Sequence, residues 1–173
     1  SGGNVQPRVA IIVDDGGYGG TTTDRILALD SALTLAILPF TPYATETANR
    51  ASQLGFQVMI HMPMESFGSK ATFPGSLRIG MGEAEMRDIL TRAIAEVPNA
   101  VGMNNHTGSK FTQDAEALGV FFPLLRETSL FFVDSRTTGK SKAYEKALEA
   151  GIRAGSSSLF LDNSGDPDAI VQQ

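Results

Sequence analysis

Residues 8–20, RVAIIVDDGGYGG, join a buried strand to two adjacent acids, and this stretch restricts the fold more than any other. The run from Val9 to Val13 is apolar and mostly β-branched without alternation, which is typical of a strand covered on both faces of a parallel sheet. Asp14 and Asp15 end that run. Carboxylates at the end of a buried strand need a cation, a proton or hydrogen-bond donors beside them. We therefore predict a functional site here; the alternative is a turn in which an Asp caps the next helix.

Four glycines follow the two acids, at positions 16, 17, 19 and 20. Glycine allows backbone conformations that are closed to other residues, so this loop can fold tightly around whatever the carboxylates hold. A nucleotide-binding loop is a weaker interpretation, because the GxGxxG spacing is not met and two carboxylates would repel a phosphate.

Strand-like apolar runs and helical patterns alternate along the rest of the chain. After the first strand, further strands are predicted at 33–38, 56–60, 100–103, 130–133 and 158–161. Helices are predicted at 21–30 with a threonine cap, at 43–54, 83–96 and 141–150, and from 112 onwards, with a long loop at 67–82. Such alternation with short links predicts an α/β fold built on a parallel sheet with right-handed crossovers.

Polar residues follow the predicted strands directly, and the carboxyl ends of parallel strands share one face of a sheet. These residues are Asp14, Asp15, His61, Glu65, Asn105, His106, Asp134, Arg136 and Asp162. Both histidines of the chain are among them. If the sheet curls into a barrel, the ends of strands one, three and four converge, and one Asp with two His is a sufficient ligand set for Zn²⁺ or a similar ion.

A divalent ion at this position would lower the pKa of its water and polarise a carbonyl oxygen. Asp14 and Asp15 could then divide the work, one binding the ion and the other accepting a proton from the attacking water. The chain has no cysteine, so the ligands must come from His, Asp, Glu or water.

Several of the other candidates have two interpretations. Glu65 is either an exposed loop carboxylate or a partner of the ion, and Asp134 with Arg136 either forms an ion pair at the rim or serves the site. Tyr18 and Phe67 are candidates for a wall on which a sugar ring stacks.

Length and charge limit the remaining possibilities. The 173 residues are sufficient for one domain, expected at 8–173, after a linker or cloning remnant at 1–7. A net charge of −5 without a basic run argues against a nucleic-acid surface. No apolar run reaches the roughly 18 residues of a membrane span. A helix start at Asp166 leads us to expect that the natural domain continues further.

Five segments in order, IIVDDGGYG, HMPME, GMNNHTGS, FFVDSRT and FLDN, resemble the strand-end motifs of the divergent polysaccharide deacetylases. These are a branch of the NodB-like carbohydrate esterases, and the resemblance extends from Val9 to Asp162. It implies a deformed (β/α) barrel whose C-terminal part is missing here. It also implies a metal-dependent hydrolase, with zinc as the expected ion, that removes N- or O-acetyl groups from polysaccharide in the periplasm or cell envelope.

The resemblance also implies residue roles. Asp14 matches the catalytic base of the family and Asp15 a metal ligand, so that metal-bound water would attack the acetyl carbonyl. The family has a second histidine four residues after the first, where this chain has Glu65 after His61. Either Glu65 or His106 replaces it, and we prefer His106 because it restores two imidazoles and one carboxylate.

The altered second motif and the absent late histidine motivate a second hypothesis. The family's third motif, Arg-x-Pro-Tyr, is reduced to Asp134-Ser-Arg136-Thr, so Arg136 orients Asp14 only if its loop bends similarly. The late Leu-x-His motif, which supplies the general acid, has no counterpart in these residues, so either the missing C-terminal part holds it or the protein lacks ordinary deacetylase activity. Asn105 and Tyr18 are expected to contact substrate or support the ligands. The alternative to a hydrolase is a degenerate relative that binds glycan or an envelope partner without turnover.

Overall fold

The computed structural model describes residues 9–68, 73–162 and 168. Six strands form one open parallel sheet in the order β1-β2-β3-β4-β5-β6. They are β1 (Ile12–Gly16), β2 (Thr34–Ile37), β3 (Gln57–Met64), β4 (Ala100–Thr107), β5 (Phe131–Asp134) and β6 (Ala154–Ser156). Because each strand pairs with the next one in the chain, the arrangement is that of a deformed (β/α) barrel, which confirms the predicted fold class.

Five α-helices connect the described strands and cover the sheet. They are α1 (Gly20–Leu27), α2 (Ala44–Gln53), α3 (Glu83–Glu96), α4 (Ala115–Arg126) and α5 (Ala143–Glu149), with a 3₁₀ turn at Phe111–Gln113. α3, predicted with the same bounds, carries an apolar stripe that is buried through Met86, Ile89, Leu90 and Ala93. Phe122 packs edge to face on Phe132 with ring centroids 5.1 Å apart, so an aromatic layer joins α4 to the sheet.

β3 and β4 extend further than predicted, and this extension determines where the histidines lie. The apolar runs end near residues 60 and 103, but the parallel pairing continues with His61 opposite Asn104 and Pro63 opposite His106. Asparagine and proline are uncommon in strands, so propensity ended both predictions too early. Both histidines therefore lie within strands, at the carboxyl edge of the sheet.

The strand predicted at 158–161 is wrong. β6 lies at Ala154–Ser156, where Ala154 pairs with Phe132 and Ser156 with Asp134. The apolar residues that suggested the later strand remain partly exposed, as in Leu159 at 49%. A few residues after α5 the backbone already lies beside β5 and pairs with it. The position of the backbone, and not side-chain hydrophobicity, therefore decides which residues form β6. Asp162 consequently does not follow a strand.

The residues before α1 do not cap it through a side chain. Its N-cap is Gly19, with no side-chain hydrogen bond to the helix, so both the threonine cap and the Asp cap are wrong.

The described part of the 67–82 loop folds back on the sheet, since Leu77 bridges to Met64 and is fully buried. The predicted linker at 1–7 and the helix start at Asp166 lie outside the described residues. Among the helices of the described ranges, none has the length and apolar character needed to cross a membrane.

Candidate metal centre

A bulge in β1 turns both acids of the Asp pair toward the same imidazole. The register of β1 on β2 shifts between Val13 and Gly16, and Asp15 adopts a positive φ of 61°. In a regular strand adjacent side chains point to opposite faces, whereas a bulge redirects one of them. As a result Asp14 Oδ1 lies 3.5 Å from His61 Nδ1 and Asp15 Oδ1 lies 3.4 Å from His61 Nε2.

The parallel register of β3 and β4 brings the two histidines together. His61 pairs with Asn104, and His106 lies two residues further along β4, on the same face as Asn104. His61 Nε2 and His106 Nδ1 are 3.1 Å apart, and His106 Nδ1 is also 3.1 Å from Asp15 Oδ1. Three strands thus contribute one donor atom each to a small triangle, which we call the Asp-His-His cluster (Asp15, His61 and His106).

The spacing of the cluster suits a small divalent cation. Its edges are 3.1, 3.1 and 3.4 Å. Ligand atoms about 2.0 Å from a tetrahedral zinc ion would lie roughly 3.3 Å from one another. The donor set, two imidazoles and one carboxylate, is also one that zinc accepts. The residues present therefore form a possible His/Asp metal site.

The cluster is buried on one side and open on the other. His61 is 3% exposed, whereas the Asp15 side chain is 62% exposed. Hydrogen bonds from His106 and then from His61 hold the pKa of the Asp15 carboxyl well below its usual range. His106 Nε2 is buried without a hydrogen-bond partner among the described residues, and the ring of Phe73 packs edge-on against this imidazole. Any ligand would therefore approach from the Asp15 side.

Asn104 hydrogen-bonds to the ring of His61, and the sequence analysis did not predict this contact. The Asn104 side chain is buried, its Oδ1 lies 2.8 Å from His61 Nδ1, and its Nδ2 donates to Asp14 Oδ1 at 2.9 Å. The alternation of side chains between the two faces of β4 could have identified Asn104. Once β4 is extended to His106, the residue two positions earlier shares its face and Asn105 takes the other.

Asn105 and Asp134 form hydrogen bonds to the neighbouring loops, and none of these bonds involves the Asp-His-His cluster. Asn105 donates to the Thr107 carbonyl at 2.7 Å and accepts from the Ser135 N–H at 2.8 Å. Asp134 is buried and accepts hydrogen bonds from the Arg136 N–H and the Ser141 hydroxyl. Both side chains tie the ends of β4 and β5 to the segment that precedes α5.

Arg136 does not form the predicted ion pair with Asp134, and Glu65 pairs with a lysine instead of the metal centre. Arg136 is exposed, and in the described ranges only its backbone N–H, not its guanidinium, contacts Asp134. Glu65 pairs with Lys110 and accepts from the Ile79 N–H at 2.9 Å, so it braces the 73–82 loop. The Lys110 ammonium, followed by that N–H, lowers the pKa of Glu65.

Two tyrosines border the β1 loop. Tyr18 is 55% exposed and Tyr43 is 48% exposed. The Tyr43 N–H donates to the Gly17 carbonyl at 3.0 Å. Its ring lies so close to Gly19 that an added Cβ would be 2.7 Å from it, so glycine is needed for this contact. The loop that follows Asp15 thus presents aromatic surface to solvent.

Comparison with known proteins identifies the family of this chain. The sequence profile of the divergent polysaccharide deacetylase family matches residues 11–173. The chain belongs to that family. An uncharacterized protein of Haemophilus influenzae is 38% identical over 97% of this chain, and the uncharacterized protein YibQ of Escherichia coli is 36% identical over 95%. The chain spans 60% and 52% of the lengths of those two relatives.

Solved structures share the fold of this family member. The uncharacterized protein ATU2773 of Agrobacterium tumefaciens superposes with a TM-score of 0.88 over 94% of this chain and 68% of its own, at 22% identity. A lactam utilization protein of Thermus thermophilus superposes with a TM-score of 0.61 over 87% of this chain and 66% of its own, at 16% identity. At these identities the likeness is one of architecture.

Proposed function

We propose that this domain is a metal-dependent hydrolase that removes N- or O-acetyl groups from carbohydrate, with the Asp-His-His cluster holding a divalent ion, in the first instance zinc. The observation that carries the proposal is the triangle of Asp15 Oδ1, His61 Nε2 and His106 Nδ1, with edges of 3.1 to 3.4 Å. When bound, such an ion lowers the pKa of a coordinated water and polarises a carbonyl oxygen.

Asp14 is the proposed base. Within the described part of the chain it is the only other carboxylate with an oxygen this close to an imidazole nitrogen, at 3.5 Å from His61 Nδ1. Its side chain is 34% exposed, so water reaches it. Asp14 would accept the proton of the attacking water. Both histidines belong to the cluster, so Asp14 is also the residue that we expect to return the proton to the leaving amine or alcohol.

The β1 loop is the proposed contact for the sugar. Tyr18 and Tyr43 flank a loop that starts at Asp15 and both have exposed side chains. Aromatic rings of this kind suit the apolar faces of sugars. A polysaccharide substrate also agrees with the family to which the chain belongs, and with it we propose a location in the periplasm or cell envelope.

A second candidate function has its own supporting observation. The chain has only two histidines, both within the cluster, and the Arg136 guanidinium makes no hydrogen bond or ion pair in the ranges that the structure describes. Within these 173 residues, two groups that assist turnover in related enzymes are therefore not present in their usual form. A protein that binds glycan or an envelope partner without hydrolysing it is the alternative.

Acetate release distinguishes the two functions. The zinc-loaded protein is incubated with an N-acetylglucosamine hexamer and with O-acetylated xylan, and acetate is measured against Asp14→Asn. A general base contributes about 10²- to 10⁴-fold to the rate, so we expect Asp14→Asn to lose turnover by that factor while its zinc content stays unchanged. Asp24→Asn, a carboxylate on α1 that pairs with Arg50, is the control and should keep full activity. Glycan binding without acetate release by the unmodified protein would favour the alternative, and unchanged turnover in Asp14→Asn would show that the base is another group.

A further inference from the structure

We propose that Asn104 is a positioning residue that fixes the tautomer of His61 and so keeps His61 Nε2 available as a ligand atom. The inference rests on the proposed function, since it concerns the same metal centre, but it assigns a task to a residue that the motifs did not single out. Asn104 contacts neither the Asp15 carboxylate nor His106 and acts through His61.

The direction of each hydrogen bond follows from Asp14. An ionised carboxylate can only accept, so Asn104 must turn its NH₂ group toward Asp14 Oδ1, 2.9 Å away. The amide oxygen of Asn104 then faces His61 Nδ1 at 2.8 Å and can only accept. Nδ1 must therefore carry the proton of neutral His61. Its Nε2 keeps a lone pair, directed at Asp15 and His106.

Asp15 favours the opposite tautomer, so Asn104 is needed. The Asp15 carboxylate lies 3.4 Å from His61 Nε2 and would accept a proton there. The contact to Asn104 is shorter, at 2.8 Å, and joins two residues that are 3% and 2% exposed. In such a dry position water cannot replace the amide. Partners of this kind commonly set the tautomer of a metal-binding histidine.

The tautomer can be observed without metal. In ¹⁵N-histidine-labelled protein stripped of metal, at a pH at which His61 is neutral, the ring nitrogen shifts of His61 report which nitrogen carries the proton. We expect Nδ1–H in the unmodified protein and in Asn104→Asp, which retains an acceptor oxygen, and loss of that preference in Asn104→Leu. Asn105→Ala, which removes the buried amide next in the strand, is the matched control and should leave His61 as Nδ1–H.

Zinc affinity gives the second measurement. Loss of a supporting partner typically weakens metal binding by about 10- to 100-fold, so we expect that loss in Asn104→Leu but not in Asn104→Asp. A metal-free unmodified protein whose His61 carries its proton on Nε2 would overturn the assignment, and this result does not depend on any variant folding. Unchanged tautomer and affinity in a folded Asn104→Leu would overturn it too. If the unmodified protein binds no zinc, the proposed function fails, whereas the tautomer still tests Asn104.

Discussion

Replacing Asp15 with Asn tests the metal centre with little disturbance to the fold. Asn tolerates the positive φ of 61° at this position and has the same shape, so the bulge should remain. The Asp15 side chain is 62% exposed and Asn keeps an acceptor oxygen, so weakening its hydrogen bonds to the histidines should cost about 1 kcal/mol. Without metal, the variant should therefore unfold within about 4 °C of the unmodified domain. His61 would be a poorer choice, because it is buried.

Zinc should separate the two proteins. At a free zinc concentration of 100 times its Kd, binding stabilises the unmodified domain by about 2.7 kcal/mol. For a domain of this size that raises Tm by about 5–11 °C. If loss of the one anionic donor weakens binding 100-fold, the same zinc concentration equals the new Kd and contributes only about 0.4 kcal/mol. The shift in Asp15→Asn should then be about 1–2 °C.

The assay is thermal unfolding followed by circular dichroism, in chelator and in buffered zinc. Asp24→Asn is the matched control, because the Asp24 carboxylate is 60% exposed, also pairs with a basic side chain, and lies outside the cluster. It should show the full zinc-dependent shift. An equally full shift in Asp15→Asn would refute the ligand assignment, and the absence of any shift in the unmodified protein would refute the metal centre.

Two further predictions concern the residues around the cluster. Glu65→Gln should cost about 1 kcal/mol at pH 7, because the pair with Lys110 is lost. The pKa of Glu65 in the folded protein is lowered from 4.5, so the stability difference between the two proteins should be complete above pH 4.5. It should disappear as the pH falls through the folded pKa, which denaturant unfolding at pH 7 and at low pH can show. Asp134→Ala leaves the Ser141 hydroxyl and the Arg136 N–H without their acceptor and should cost about 3 kcal/mol in the same assay. Its zinc affinity should equal that of the unmodified protein; a loss of affinity would place Asp134 in the metal centre.

The alternation of elements was predictable because it depends on local patterns. The 83–96 helix has the predicted bounds, since a repeating apolar stripe specifies both period and length. The strand at 158–161 was wrong for the converse reason. Three residues such as 154–156 have no pattern of their own, and their strand forms only because β5 offers unpaired backbone groups at that position.

The contacts around the Asp-His-His cluster could be predicted only with knowledge of the strand register. That Asp15, His61 and His106 lie at one edge followed from the parallel sheet, but the support of His61 by Asn104 depends on how far β4 extends and on alternation along it. The sequence likewise does not predict that Glu65 pairs with Lys110, because that pair depends on the path of two loops. Contacts within regular strands could be derived by counting, whereas contacts between loops could not.

The bulge in β1 has a mechanical consequence. Among the described residues β1 is an outer strand of the open sheet and pairs only with β2, whereas β3 and β4 lie inside the sheet. A cation shared by Asp15, His61 and His106 would cross-link that outer strand to the interior over the top of β2, which provides no ligand. Loading would therefore fasten the edge of the barrel, and amide exchange in β1 should slow far more than in β3.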